Sequence, residues 1–292
     1  MKELLDIYRF RHGEKISSLR LMFFTIFGYI TAGVFGGVYF QIIPYVLNTI
    51  VVFCGLLFAS LLNDYYDHRY LREKNAVSNF FTKNILSRRS VFFLIWSPWC
   101  LAFLIFWLLI QYPVTPWAII LLWLDFILSF LYSSPPFRLK DRFLVGIVVS
   151  QIGVFLLFLQ GFLLFGYPNQ IAWVITFFVF LFVWYLEFLH RIDDAYSDND
   201  RTYMSIERSF FLLRAIVVFG VAAGFLFGVL VSPLFFVSAV AWALRFVAIR
   251  NITPADIIRD RRNILRPLWR LEEFATYGLV GVLCFSSYFC AL

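Results

Sequence analysis

The chain has 292 residues, of which 62% are hydrophobic and only 15% are charged, and its mean hydropathy is +0.81. A water-soluble domain cannot carry so many apolar side chains at its surface, so the composition predicts a polytopic membrane protein. The formal net charge of +7 does not require a nucleic-acid partner, because Lys and Arg also collect on the cytoplasmic side of membrane proteins.

Nine apolar runs are long enough to cross a bilayer as helices. They predict an all-α fold, a bundle of about nine transmembrane helices, and a single integral membrane domain over residues 1–292. In chain order the runs are Leu21 to Tyr39, Tyr45 to Leu62, Val91 to Ile110, Trp117 to Tyr132, Phe143 to Phe165, Ile171 to His190, Phe210 to Val231, Leu234 to Ile249 and Thr276 to Leu292.

The basic residues predict the orientation of these runs. All 25 Lys and Arg residues lie before the first run or around every second connection, and the connections near Gln41, Gln111, Pro168 and Pro233 carry none. The positive-inside rule then places the N-terminus in the cytoplasm, together with loops 63–90, 133–142, 190–209 and 250–275. The charged start lacks the features of a removable signal peptide. In a prokaryote the expected location is the inner (cell) membrane.

Polar side chains replace the apolar pattern where the second run ends, at Asn63, Asp64 and Asp67. On a helix Asn63 and Asp67 are four residues apart, so their side chains lie on one face about 5–6 Å from each other. Amide and carboxylate oxygens are ligands that magnesium accepts, commonly together with substrate phosphates. A helix end that simply meets water would have the same composition, so this motif alone leaves both interpretations open.

A second acidic motif follows the sixth run, where Asp194 and Asp198 are one helical turn apart and Glu187 lies two turns earlier on nearly the same face. The positive-inside rule concerns Lys and Arg, so this clustering of acids carries separate information. Two acidic motifs at cytoplasmic helix ends suit two magnesium ions that hold one diphosphate.

Two acids lie inside apolar runs, Asp125 in the fourth and Glu187 in the sixth. A charge at bilayer depth is costly without a partner or a cavity, so both are predicted to face the protein interior. Asp125 is two turns before Tyr132 and is predicted to line the same cavity, contacting an acceptor or accepting its proton. A neutral, hydrogen-bonded structural Asp remains an equal alternative.

The order of these motifs resembles that of the UbiA-type intramembrane prenyltransferases, a family of nine-helix bundles. The resemblance covers nearly the whole chain and rests on three segments, Asn63-Asp64-Tyr65-Tyr66-Asp67, Tyr132-Ser133-Ser134-Pro135-Pro136-Phe137-Arg138-Leu139-Lys140 and Asp194-Ala195-Tyr196-Ser197-Asp198. The chain departs from the family pattern at Leu71 and Thr202, where members carry further Asp residues. Each departure removes a metal or phosphate contact.

The resemblance implies a central cavity and a role for each motif residue. It assigns Mg2+ binding to Asn63, Asp67, Asp194 and Asp198, with Asp64 as a further ligand or a residue beside one. Together with the reading of Asp125 above, the catalytic set is Asp64, Asp125, Tyr132 and Lys140. The basic residues expected to contact the diphosphate are Arg69, Arg72, Lys74, Arg138, Lys140, Arg191 and Arg201.

The function implied is Mg2+-dependent transfer of a prenyl or polyprenyl group from an allylic diphosphate to a lipophilic or aromatic acceptor within the membrane. The expected partners are the prenyl diphosphate donor, a lipid or aromatic acceptor and membrane lipids, with no nucleic acid. Two alternatives stay open. One is a terpene cyclase of the same family, which uses no acceptor, and the other is a non-catalytic lipid-binding or transport protein.

Overall fold

The computed structural model describes residues 18–71, 87–197 and 206–253, together with residues 255, 256, 264 and 268. Over these residues the regular structure is entirely helical, which confirms the all-α fold. The eight α-helices are α1 (Ser18–Gly36), α2 (Ile42–Leu71), α3 (Arg88–Leu109), α4 (Pro116–Ser133), α5 (Phe143–Phe162), α6 (Gln170–Ser197), α7 (Ile206–Leu230) and α8 (Phe235–Ile249), with one 3-10 turn, Leu139–Asp141. They match the first eight predicted runs in order, and the ninth lies outside the described residues.

Six of these helices are long and apolar enough to cross a membrane, over Ile42–Arg69, Arg89–Leu109, Pro116–Ser133, Val145–Phe162, Gln170–Leu189 and Glu207–Leu230. The apolar part of α1 (Met22–Gly36) and helix α8 are shorter. Large apolar side chains such as Phe93, Leu104 and Val229 are more than half exposed. Lipid is the environment that suits such side chains, and the protein is a multi-pass membrane protein.

Local sequence signals explain where two helices begin. Ser87 precedes α3, and its hydroxyl accepts a hydrogen bond from the Ser90 backbone N–H at 3.1 Å. Thr115 does the same for α4, accepting from the Ala118 N–H at 3.2 Å, with Pro116 at the first helical position. Each hydroxyl satisfies a backbone donor that the helix leaves unpaired, and Pro has no donor to satisfy there.

The chain divides into two compact units, Met1–Gly33 with Gly37–Pro168, and Val34–Gly36 with Asn169–Leu292. In the first unit α2 packs against α3 and α4, and α4 packs against α5. Its core includes Phe58, Leu61 and Val91, near the C-terminal end of α2. It also includes an aromatic group in which Trp99 and Phe126 pack edge to face with ring centroids 4.9 Å apart. The prediction of one domain over residues 1–292 stays a prediction.

In the second unit α6 packs against α7, and α7 against α8. The Arg214 side chain donates to the carbonyl oxygens of Arg250 at 3.1 Å and Ile252 at 2.8 Å, just past the end of α8. Carbonyl groups at a helix C-terminus have no partner within the helix, and a cation there is favourable. Arg214 therefore fixes the end of α8 to α7.

Two glycines allow α1 and α5 to approach closely within the first unit. A Cβ added to Gly28 would overlap the carbonyl oxygen of Phe158, and one added to Gly161 would overlap that of Thr25. Small residues at such crossings let membrane helices come into backbone contact. The contact is reciprocal, since each glycine faces the backbone of the other helix.

A buried pair of amides joins α2 to α5. Asn48 Nδ2 donates to Gln160 Oε1 at 3.0 Å, and Gln160 Nε2 donates to Asn48 Oδ1 at 2.6 Å. Both side chains are only 1% exposed. Each amide satisfies the other, so neither carries the cost of an unpaired polar group in an apolar setting.

The predicted orientation can be tested by cysteine labelling. Asn79, outside the described residues, belongs to a basic connection, and Tyr167 is 66% exposed in a connection without Lys or Arg. Single cysteines at these positions, in a protein whose four native cysteines are replaced, should react with an impermeant maleimide from opposite sides of the membrane. Labelling from the same side would refute the orientation.

Candidate functional site

The first acidic motif lies on the last turns of α2, which continues nine residues beyond the predicted run, to Leu71. The helix therefore carries Asn63 and Asp67 on one face, and Asn63 Nδ2 donates to Asp67 Oδ2 at 2.9 Å. This bond directs the amide nitrogen of Asn63 toward Asp67. The amide oxygen is left to accept from other residues.

The segment after α4 brings a cation to these two side chains. Lys140 Nζ donates to Asn63 Oδ1 at 2.7 Å and also to Asp67 Oδ1. Ser133, the last residue of α4, donates from its hydroxyl to Asn63 Oδ1 at 3.2 Å. One oxygen of the amide and one oxygen of the carboxylate thus converge on a single ammonium group.

The backbone between α4 and α5 explains how Lys140 reaches α2. Arg138 has a backbone φ of 35°, which lies in the left-handed region. Residues other than Gly seldom adopt this region, and here it reverses the direction of the chain. The 3-10 turn Leu139–Asp141 follows and folds back on the start of α5. A Cβ at Gly146 would lie 2.9 Å from the Lys140 carbonyl oxygen, so the glycine lets this turn pack closely against α5.

Arg138 holds the reversed segment against α2. Its guanidinium donates to both carboxylate oxygens of Asp141, from Nε at 2.7 Å and Nη2 at 3.2 Å. Nη1 donates to the Tyr66 carbonyl oxygen at 3.3 Å, and Nη2 lies 3.5 Å from Asp67 Oδ1. These contacts occupy both ends of the planar group, so Arg138 positions the segment that bears Lys140.

The charges of this cluster balance, because Asp67 and Asp141 stand against Arg138 and Lys140. The side chains of Asp67, Arg138 and Lys140 are 10%, 10% and 14% exposed, and charges so poorly hydrated need partners. Burial lowers the pKa of Lys140, and the hydrogen bond and charge of Asp67 act in the opposite direction. These four side chains form one ion network at the C-terminal end of α2.

The donor set suits a divalent metal ion of the magnesium type. Asn63 and Asp67 offer an amide and a carboxylate oxygen that already meet at one cation, the Lys140 ammonium. In substrate sites magnesium is commonly bound by only one or two protein oxygen ligands, and substrate phosphates and water molecules complete its coordination. Among the described side chains no group of three or more His, Cys, Asp and Glu residues forms a metal cluster, so other ligands must complete the coordination.

The structure describes the side chains of some of the remaining predicted site residues and not those of the others. Asp64, Tyr132 and Arg69 are described; Asp64 and Tyr132 are half-buried and Arg69 is exposed, with Arg69 Nη1 3.5 Å from the Tyr65 hydroxyl. Asp194 and Arg191 belong to α6 by their backbone. Their side chains, together with Asp198, Arg72, Lys74 and Arg201, lie outside the described residues.

Both intramembrane acids are buried, which confirms that they face the protein interior. Asp125 is 4% exposed and Glu187 is 7% exposed. Asp125 packs against α5, where a Cβ on Gly153 would lie 3.4 Å from its Oδ1. Within the described part of the chain no hydrogen bond or ion pair to the Asp125 carboxyl is present, which sets this acid apart from the paired carboxylates of the motif.

Sequence reasoning missed three contributors to the cluster, namely Ser133, Asp141 and Gly146. Asp141 had a local signal, because it is three residues after Arg138 and such pairs meet on a helical turn. Ser133 had only its place in the Tyr132 to Lys140 segment, since its partner Asn63 is 70 residues away. Gly146 matters only for the close return of the chain, which the sequence does not reveal.

Residues 21–265 match the UbiA prenyltransferase family. That match covers most of the chain, and the protein belongs to this family. No curated protein matches the chain in sequence.

Solved structures of the family share the fold. A UbiA homologue from Archaeoglobus fulgidus, bound to GPP and Mg2+, aligns over 92% of this chain and 97% of its own with a TM-score of 0.62 and 16% identity. The same homologue bound to DMAPP and Mg2+ aligns with a TM-score of 0.59 and 16% identity, over 94% and 99% of the two chains. A structure of digeranylgeranylglyceryl phosphate synthase gives a TM-score of 0.66 and 14% identity, over 97% and 98%.

Proposed function

We propose that this protein transfers a prenyl or polyprenyl group from an allylic diphosphate to a lipophilic or aromatic acceptor in the membrane, with Mg2+ as cofactor. The observation that carries the proposal is the convergence of Asn63 Oδ1 and Asp67 Oδ1 on the Lys140 ammonium. The two oxygen atoms can bind a metal ion, and the ammonium group beside them can bind a phosphate. The family relationship and the GPP and Mg2+ in the archaeal homologue support it.

Each residue of the cluster has a distinct task in this proposal. Asn63 and Asp67 bind the metal ion, and Ser133 and the Asn63–Asp67 hydrogen bond keep the amide oxygen directed to it. Lys140 binds a diphosphate oxygen by a charge-assisted hydrogen bond, while Arg138 keeps Lys140 in place. A bound Mg2+ would neutralise the diphosphate and help it to leave as the carbon–oxygen bond breaks.

The proposal extends to residues for which only the sequence motif gives support. Asp194 and Asp198 supply the second pair of metal ligands, and Asp64 adds a ligand or orients one. Tyr132 contributes an aromatic ring, whose face can stabilise an allylic cation. The basic residues Arg69, Arg72, Lys74, Arg191 and Arg201 supply further contacts to the diphosphate.

Asp125 contacts the acceptor in this proposal. It precedes Ser133 by eight residues, so it lies about 12 Å further along α4, away from the metal ligands. A buried carboxyl that has no hydrogen-bond partner among the described residues is costly unless another group satisfies it, and an acceptor hydroxyl or amine would do so. We therefore assign Asp125 a contact to the polar group of the acceptor.

Replacing Asp125 by Leu, which has a similar volume and no acceptor oxygen, tests this assignment. With a verified acceptor, we expect the KM for that acceptor to rise at least about tenfold, as for the loss of one hydrogen bond to a charged group. The KM for the diphosphate donor should change little, because Asp125 is remote from Asn63 and Asp67. A variant with both KM values unchanged would show that Asp125 is only structural.

Product analysis tests the function itself. Purified protein would be incubated with Mg2+ and prenyl diphosphates of increasing chain length, with and without hydroxylated aromatic and glycerol-based acceptors, and the products identified by mass spectrometry. A prenylated acceptor together with released diphosphate supports the transferase. A cyclic hydrocarbon or alcohol formed without acceptor would identify a cyclase instead, and no product from any donor would count against an enzyme.

A further inference from the structure

The two oxygens of the first motif that the proposed function assigns to the metal bind the protein's own cation in this structure. Lys140 Nζ bonds to both Asn63 Oδ1 and Asp67 Oδ1, which are the two oxygens that the proposed function assigns to the metal. An ammonium group and a divalent cation on the same oxygen would stand about 4 Å apart, and like charges so close in a poorly hydrated site repel each other strongly. Lys140 must leave before a metal ion can bind.

The charge balance makes this exchange unfavourable for a metal ion alone. Asp67, Asp141, Arg138 and Lys140 sum to zero charge and form ion pairs with one another. A bare divalent cation would add two positive charges and leave the Lys140 ammonium without its anion in the same region. Losing one partner of a buried ion pair is strongly unfavourable.

A diphosphate removes this difficulty because it brings several negative charges and acceptor oxygens. Lys140 can then exchange Asp67 for a phosphate oxygen, and the ammonium keeps a charge-assisted bond throughout. Arg138 need not move with it, since Asp141 and the Tyr66 carbonyl hold its guanidinium. The exchange is confined to one flexible side chain.

We infer that Lys140 is a resident counter-ion that couples metal binding to diphosphate binding, so that this site takes up a divalent cation only together with a diphosphate. This inference rests on the proposed function and adds the order of binding to it. The coupling is reciprocal, because two ligands that favour the same state raise each other's affinity by the same factor. It protects the site from metal ions when no substrate is present.

The test measures metal affinity directly. Mn2+ is titrated into detergent-solubilised protein without any phosphate compound, and free Mn2+ is followed by its electron paramagnetic resonance signal. Lys140→Met removes the ammonium with little change of shape, and we expect it to bind Mn2+ at least about tenfold more tightly than the unmodified protein, within the usual range of coupling between sites. Lys140→Gln is a second neutral variant, and Lys140→Arg should keep the weak binding.

Inorganic pyrophosphate supplies the second arm. Mn2+ binding is compared at equal free Mn2+ with and without pyrophosphate, and a protein-free blank corrects for the metal that pyrophosphate itself binds. We expect pyrophosphate to raise the Mn2+ affinity of the unmodified protein at least about tenfold, and that of the Lys140→Met variant clearly less. Arg142→Met is the matched control. It removes an exposed positive charge two residues away and should behave as the unmodified protein.

The outcomes separate this inference from the proposed function. If Lys140→Met and Lys140→Gln bind Mn2+ no more tightly than the unmodified protein, while Asp67→Asn weakens binding in the presence of pyrophosphate, the counter-ion role is refuted and the metal site stands. If Asp67→Asn leaves Mn2+ binding unchanged under both conditions, the metal site itself is wrong.

Discussion

Replacing Asp67 by Asn is expected to slow diphosphate release by at least about 100-fold. The substitution keeps the shape of the side chain and removes the negative charge that serves both the metal ion and Lys140. A metal ion contributes several kcal/mol of charge stabilisation, and each 1.4 kcal/mol is a factor of ten in rate. The measurement is release of pyrophosphate from a verified prenyl diphosphate at saturating Mg2+.

Asp256→Asn is the matched control for this substitution. Asp256 accepts hydrogen bonds from the Thr253 backbone N–H at 3.0 Å and from its hydroxyl at 2.6 Å, and it is remote in sequence from either motif. The same chemical change there should leave turnover within about twofold, as for most surface substitutions. Full Mg2+-dependent turnover by both Asp67→Asn and Asp194→Asn would disprove the assigned ligands.

Replacing Gly28 by Ala is expected to give the largest loss of stability. The new methyl group would overlap the Phe158 carbonyl oxygen and lie 2.9 Å from the Phe162 backbone nitrogen, and backbone atoms cannot rotate away as side chains do. Overpacking of this kind costs about 3 kcal/mol, which corresponds to a fall of roughly 6–12 °C in Tm for a chain of this size class. Thermal unfolding in detergent is the measurement.

Gly33→Ala provides the comparison within the same helix. A Cβ there would meet only the Val38 carbonyl oxygen, at 3.7 Å, which is an ordinary contact, so Tm should stay within about 2 °C. Gly161→Ala should resemble Gly28→Ala, because it strikes the Thr25 carbonyl from the opposite helix. Equal Tm values for Gly28→Ala and Gly33→Ala would show that α1 and α5 are not in backbone contact.

Apolar length predicted the fold well because the signal for a membrane helix is local. The first eight runs each became a helix, and the two acids inside runs are buried as expected. Helix ends were less predictable, because the length of an apolar run reflects the thickness of the membrane and not where the helix ends. Helix α2 continues to Leu71, beyond the predicted Leu62, because nothing in the motif breaks a helix. This continuation is what puts Asn63 and Asp67 on one face, as their spacing predicted.

The site was predictable only where its partners are close in sequence. The four-residue step from Asn63 to Asp67 sufficed to pair them, whereas the contacts of Lys140 depend on a chain reversal at Arg138 that composition does not reveal. Arg138 illustrates the limit. Its charge and motif predict a phosphate contact, which stays a prediction, and the sequence did not reveal that its donors bind Asp141, Asp67 and the Tyr66 carbonyl. The residue type predicted that Arg138 would bind negatively charged or polar groups, and the fold determines which groups lie within its reach.

The amide pair between α2 and α5 has a consequence for synthesis of the protein. Asn48 and Gln160 are 112 residues apart, so α2 leaves the ribosome long before its partner exists. At typical translation rates of 5–20 residues per second, Asn48 waits roughly 6–22 s for the group that satisfies it. An unpaired amide resists transfer into hydrocarbon, so α2 should remain beside the insertion machinery until α5 emerges, and the two helices should enter the lipid together.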